Sequence, residues 1–185
     1  MRGCEPFAQA NKMAELIPVL DKATIARKIA AIAHTITSDY QDADLVLIGV
    51  LKGAFIFMAD LIRQLELKKV AVDFVQLTSY GSDSQSSGKI SILKDISTNI
   101  DGRDVLIVED ILDTGLTLAY LIDHLGRLRP RTIKICAFID KLERRQVDIK
   151  ADYVCHKMES GFLVGYGLDF AEAYRNLPDI YMMKT

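Results

Sequence analysis

Three short, almost uninterrupted apolar runs constrain this chain most: Leu45-Val-Leu-Ile-Gly-Val-Leu51, Val105-Leu-Ile-Val108 and Ile133 to Ile139. Runs of four to seven such residues are too short for buried helices and suit strands covered on both faces. Helical spacing separates them. Ile25, Ile29, Ile32 and Ile36, following Asp21 and Thr24 as capping candidates, predict an amphipathic helix over 22–38. Lys52-Gly53 breaks the first run and Ala54 to Leu65 reads as a second helix. Leu118, Leu121, Ile122 and Leu125 mark a third, reaching about Arg127. Val70, Val72 and Phe74 alternate with Ala71, Asp73 and Val75 as in a strand. The tail carries three brief strand candidates, Tyr153-Val-Cys155, Phe162-Leu-Val164 and Ile180-Tyr-Met182.

Strands alternating with helices imply parallel βαβ units with right-handed crossovers and helices on both faces of one sheet. Ligands of such α/β sheets bind beyond the carboxyl ends of the strands, here just after Leu51, Leu77, Val108 and Ile139. With 185 residues the chain suits one domain that can bury roughly 70% of its unfolded surface without disulfides or structural metals. Cys4, Cys136 and Cys155 are odd in number and form no CxxC pair, so they indicate neither a disulfide framework nor zinc. A net charge of −2 provides no overall attraction to nucleic acid or anionic membrane. No apolar run reaches the ~18 residues of a membrane span, and the start Met1-Arg-Gly-Cys-Glu-Pro6 has no signal-peptide core. A soluble, cytoplasmic protein is expected.

The chemistry concentrates in Val105-Leu-Ile-Val-Glu-Asp-Ile-Leu-Asp-Thr-Gly-Leu-Thr117. The strand delivers Glu109 and Asp110 to the open edge of the sheet, and Asp113-Thr114-Gly115-Leu116-Thr117 turns into the next helix. Backbone N–H groups and two hydroxyls at a helix N-terminus suit a phosphate, and Gly115 permits close approach. Three carboxylates beside that cradle would repel a bare polyanion, so the acids must meet hydroxyls, a bound cation such as Mg²⁺, or a proton to be accepted. A sugar phosphate satisfies the combination.

Residues 105–117 resemble the phosphoribosyl pyrophosphate signature of the purine phosphoribosyltransferases, and the acid at Asp113 resembles the 6-oxopurine branch in particular. The likeness runs from about residue 17 to the C-terminus. It implies a type I phosphoribosyltransferase fold: a core over about 21–152 and a small hood from about 1–20 and 153–185, in one domain spanning 1–185. It also implies a residue-by-residue assignment. Leu51-Lys52-Gly53 resembles a backbone loop for pyrophosphate, often with a non-proline cis peptide. Ser79-Tyr80 and the following Gly/Ser stretch, 81–88, resemble a lid that closes during reaction, although by composition alone that stretch is a flexible surface loop. Glu109 and Asp110 are implied around the ribose hydroxyls and their Mg²⁺, with Ile111 beside them, and Asp169 near a second metal. Asp113 is implied as general base near purine N7, and Thr114, Gly115, Leu116 and Thr117 as the 5′-phosphate loop. Lys141, just past its strand, is implied as donor to the purine 6-oxygen, Phe162 as the aromatic on the base, Leu163 as a backbone contact and Arg175 as facing pyrophosphate. Leu116 stands where the mammalian enzymes carry lysine. Arg145 sits at the spacing of a subunit-interface arginine.

The implied activity is purine salvage: hypoxanthine or guanine displaces pyrophosphate at C1 of the ribose. An ammonium only donates, so Lys141 pairs with a 6-oxo group and rejects adenine's amino group. The alternatives are a xanthine-preferring transferase and a nucleotide-sensing regulator of the same fold, of the RNA-binding attenuator type. The resemblance further implies small-molecule substrates and a homodimer or homotetramer. Cys155-His156 looks like a nucleophile and base, but adjacent strand residues point to opposite faces. Arg127, Arg129, Arg131 and Lys134 form a basic cluster that suits solvation near a helix C-terminus.

Overall fold

The computed structural model describes residues 15–79 and 90–184. Cys4, Tyr80 and the 81–88 stretch therefore lie outside the described residues. Nine strands and three helices follow in the order β1 (Glu15–Leu20), α1 (Lys22–Asp39), β2 (Leu45–Leu51), α2 (Phe55–Ile62), β3 (Val70–Ser79), β4 (Ile90–Lys94), β5 (Asp104–Leu112), α3 (Leu116–Gly126), β6 (Thr132–Lys141), β7 (Tyr153–Met158), β8 (Leu163–Val164) and β9 (Ile180–Lys184) among the described residues. A six-stranded sheet has the order β4-β3-β2-β5-β6-β7, and a three-stranded sheet the order β1-β9-β8.

The apolar runs are strands covered on both faces. Leu45 and Leu47 of β2, with Leu106, Val108 and Phe138, pack under α1 and α2. Their alternates Val46, Ile48 and Val50, with Val105 and Ile107, pack under Leu118, Leu121 and Leu125 of α3. Two faces needing apolar cover leave no position for a charge, which is why the pattern is continuous. Asp21 caps α1 as expected, its carboxylate accepting from the Thr24 amide at 2.6 Å.

Three boundaries differ from the sequence reading. The helix expected over 54–65 stops at Ile62, because the Gln64 and Leu65 amides bond back three residues, to Leu61 and Ile62, and tighten the turn. That turn packs Leu65 and Leu67 against the core. The sheet is not wholly parallel: β4 runs antiparallel to β3, since the roughly ten residues joining them are too few for a crossover. Finally, β7, expected in the hood, pairs in parallel with β6 as an edge of the large sheet.

Asp73, a carboxylate in β3, fixes the stretch after β4. It accepts from the backbone amides of Ser97 and Thr98 at 2.7 and 2.8 Å and from Lys94 Nζ at 3.2 Å. Burial acts to raise its pKa, but amide hydrogen bonds from Thr98, Phe74 and Ser97 outweigh it and hold the carboxyl well below its ordinary range.

Candidate active site

The central strand β5 was expected to end at its two acids, but runs through them to Leu112. Its pairing with β6 continues over the acids, from Glu109↔Ala137 to Ile111↔Ile139 and Leu112↔Asp140. Glu109 and Asp110 are therefore set by a hydrogen-bonded ladder rather than by a loop. Glu109 is only 8% exposed. Burial, and then the neighbouring Asp110 charge, push its carboxyl well above the ordinary range. Burial raises Asp110 too, against amide hydrogen bonds and the Arg175 charge, which favour its ionised form.

Such a pair opposes folding when ionised. A carboxyl raised in the folded state costs stability as pH climbs from its unfolded value, about 4.3, through its folded value. Glu109→Gln should accordingly melt several degrees above the ligand-free parent at pH 8, a gain of about 1–2 kcal/mol, with the difference closing near pH 4.5. Thermal melts at the two pH values check this; a variant no more stable at pH 8 contradicts the burial argument.

Beside the acids lies Leu51-Lys52-Gly53, whose Leu51–Lys52 peptide is cis. A Cβ on Gly53 would fall 1.7 Å from an Asp110 carboxylate oxygen, and one on Gly167 would fall 2.2 Å from the Gly53 carbonyl oxygen. Only bare backbone fits at either position. The Lys52 ammonium turns away to Glu172 at 3.1 Å.

Asp113 follows β5, and Gly115, at φ +81°, caps α3 without a side-chain bond. The left-handed turn is one glycine adopts without strain. The turn into α3 borders a cavity of about 210 Å³ that Leu51, Glu109, Asp110, Thr114, Gly115 and Thr117 line, at a helix end whose first amides have no intrahelical partner. Leu116 is part-exposed at the first helical position and lines no part of that cavity.

A second cavity, of about 200 Å³, shares Asp110, Ile111 and Asp113 with the first and adds Lys141, Phe162, Leu163 and Asp169. Lys141, expected just past a strand ending at Ile139, is instead the last residue of β6, which runs two residues further, and is 5% exposed. Its Nζ lies 3.4 Å from Asp113 Oδ1 and donates to the Gly161 carbonyl at 3.3 Å. Asp113 Oδ1 is buried and accepts no hydrogen bond. Phe162 is 44% exposed and meets Phe170 edge-on, ring centroids 5.6 Å apart, leaving a ring face available for stacking.

Asp169 faces the second cavity with a partner of its own. It is paired with Arg175 at 2.7 Å and accepts from the Glu172 amide at 2.9 Å. Among the described residues no three acidic, histidine or cysteine side chains converge as a metal site. Two adjacent buried carboxylates fit hydroxyl donors or a cation that brings most of its own ligands. Arg175 also donates to the Gly167 carbonyl at 2.8 Å, and its Nε is buried without a partner. Ser79 ends β3, with its backbone paired to Ile90.

Sequence reasoning missed Arg144, whose Nη1 lies 3.5 Å from Asp113 Oδ2 and which lines the second cavity. A lone arginine after a strand carries no signal that separates it from a solvated one. Arg145 does not point outward but is part-buried against the ends of β5 and β6. Cys155 and His156 lie on opposite faces of β7. Burial pushes the Cys155 thiol up to about 12 and lowers the His156 pKa, the reverse of an activated pair. In the basic cluster, Arg127, Arg129 and Arg131 face Asp123, Asp101 and Asp104, and Lys134 sits over the Tyr40 and Tyr153 rings.

Comparison with known proteins agrees with this geometry. A family model described as phosphoribosyl transferase domain matches residues 19–171. The chain is 47% identical over 167 residues to a hypoxanthine-guanine phosphoribosyltransferase of Aquifex aeolicus, covering 90% of this chain and 93% of that protein. A Bacillus subtilis protein of the same name is 45% identical, with 90% and 92% coverage. Among solved structures, a hypoxanthine phosphoribosyltransferase from Staphylococcus aureus superposes with a TM-score of 0.86 at 40% identity over 90% of each chain. The chain belongs to the phosphoribosyltransferase family, in its 6-oxopurine, hypoxanthine-guanine branch.

Proposed function

We propose that this enzyme of purine salvage, which transfers the 5-phosphoribosyl group of phosphoribosyl pyrophosphate to hypoxanthine or guanine, works through the two adjoining cavities. The observation that carries the assignment is the second cavity. A buried ammonium and an unbonded carboxylate oxygen lie 3.4 Å apart beside an open aromatic face, and the first cavity adjoins them with a helix N-terminus. A 6-oxopurine offers an acceptor at O6, an N–H at N7 and a flat ring in that order.

The 5′-phosphate sits on the Thr114–Thr117 amides and hydroxyls. Glu109 and Asp110 accept from the ribose hydroxyls, which relieves the cost of burying the pair. Bare backbone at Lys52-Gly53, with Arg175 beyond it, receives the pyrophosphate as it leaves. The family takes its donor as a Mg²⁺ complex; Glu109 and Asp110 are the residues that would face such an ion, which would supply charge neutralisation for the leaving diphosphate. Phe162 stacks on the base, Leu163 contacts it through backbone, Lys141 donates to O6 and Asp113 takes the N7 proton as C1 is attacked.

The enzyme acts in the cytoplasm, where its buried thiols at Cys136 and Cys155 stay reduced, and assembles as a homodimer or homotetramer. No helix among the described residues is long and apolar enough to cross a membrane. The test is pyrophosphate release from phosphoribosyl pyrophosphate and Mg²⁺ with hypoxanthine, guanine, xanthine or adenine. Turnover with the oxopurines and none with adenine is expected. Turnover with adenine, or with no base at all, overturns the assignment of Lys141 and Asp113.

A further inference from the structure

The ladder between β5 and β6 ends at Leu112↔Asp140, one residue before both Asp113 and Lys141. Past the last rung, strand carbonyls lose their partners, and buried ones need another donor. Arg145 supplies it. Its Nε donates to the Asp113 carbonyl at 2.9 Å, and its Nη2 to the Leu112 and Lys141 carbonyls at 3.1 and 3.2 Å. Nη2 also meets the Asp140 carboxylate at 2.6 Å, and Nη1 donates to the Ile149 carbonyl at 2.6 Å. The side chains of Arg145 and Asp140 are only 16% and 14% exposed.

We propose that Arg145 is a positioning residue: its guanidinium replaces the missing rung between β5 and β6 and so fixes Asp113 and Lys141 at their working separation. The same segment braces the phosphate loop, since the Gln146 amide donates to the Thr114 carbonyl at 2.9 Å. Val147 occupies the space that a Cβ on Gly115 would need, 2.7 Å away. Arg145 thus registers three parts of the site: the base's proton acceptor, its O6 donor and the turn that holds phosphate. A planar fork of five donors can span two strands, whereas an ammonium cannot reach the same acceptors together.

The inference rests on the roles proposed for Asp113 and Lys141, so its test includes them. Arg145→Lys, Lys141→Met, Asp113→Asn and the Arg145→Lys/Lys141→Met pair are assayed with hypoxanthine and adenine, each alongside a thermal melt. Arg145→Lys keeps a cation for Asp140 but loses the rungs. It should lower kcat/KM for hypoxanthine about 100-fold, the effect of roughly an ångström of misplacement. It should also narrow the ratio of hypoxanthine to adenine turnover. In the Lys141→Met background the same change should cost clearly less than about 100-fold, because the share acting through Lys141 is already lost while Asp113 and the phosphate turn still shift. Near-parental kcat/KM in Arg145→Lys, or the full 100-fold loss in both backgrounds, overturns the proposal. If Lys141→Met and Asp113→Asn leave turnover intact, the site reading itself fails instead. Should Arg145→Lys not melt cooperatively, Asp140→Asn, which frees Nη2 from its carboxylate, takes its place. About a tenfold loss that shrinks in the Lys141→Met background is then expected, and parental activity overturns the proposal.

Discussion

Asp113→Asn should lower kcat by between about 10² and 10⁴ while leaving the KM for phosphoribosyl pyrophosphate nearly unchanged. The substitution keeps shape and one acceptor oxygen but cannot take a proton. Asp113 stands one residue beyond the ladder, with Oδ1 buried and unbonded, so the parental site has an acceptor waiting where an N7 proton would arrive. On the proposed roles, loss of that acceptor acts on the transition state and not on the sugar phosphate, which is assigned to the separate Thr114–Thr117 turn. Steady-state kinetics with each substrate varied separates the two. A rise in KM for phosphoribosyl pyrophosphate with kcat preserved would place Asp113 in donor binding and remove it as base.

Lys141→Met should reduce kcat/KM for hypoxanthine and guanine by about 10³-fold and bring the ratio to adenine down by a similar factor. Methionine matches the lysine stem in length, so packing in β6 is retained while the donor is lost. The parental ammonium is 5% exposed, and water cannot readily take its place at the purine 6-oxygen. The same change removes the cation 3.4 Å from Asp113, so part of the loss passes through the base, and Asp113→Asn/Lys141→Met should show less than the product of the single effects. Unaltered preference among bases in Lys141→Met would assign selectivity elsewhere in the cavity.

Sequence legibility differs by element. The strands at Leu45–Leu51 and Val105–Val108 announce themselves because both faces are buried, which leaves no room for polar residues to interrupt the pattern. The end of β5 does not, because Glu109 and Asp110 break the apolar run while the hydrogen-bonded ladder continues beneath them. Backbone pairing is indifferent to side-chain polarity, so a pattern of side chains cannot report it. The phosphate turn was readable from five consecutive residues, Asp113 to Thr117. Phe162 and Lys141 lie 21 positions apart and meet only through folding, so residue type alone marks neither; the family likeness located them. Arg144 and Arg145 are adjacent arginines with the same local signal, yet one lines the cavity and the other is built into the strand ends. The pairing of Asp169 with Arg175 was likewise invisible, as both were expected to face ligands rather than each other.

The stack of Gly167 on the Gly53 carbonyl and of Gly53 on the Asp110 carboxylate has a mechanical consequence. Two of its three tiers are main chain without side chains, so a displacement meets backbone rather than a long side chain that could fold away. Movement of the loop after β8 toward the large sheet would press on Gly53 and, through it, on Asp110. The stack works as an end stop, setting how closely the small sheet's loop can press on the reacting centre.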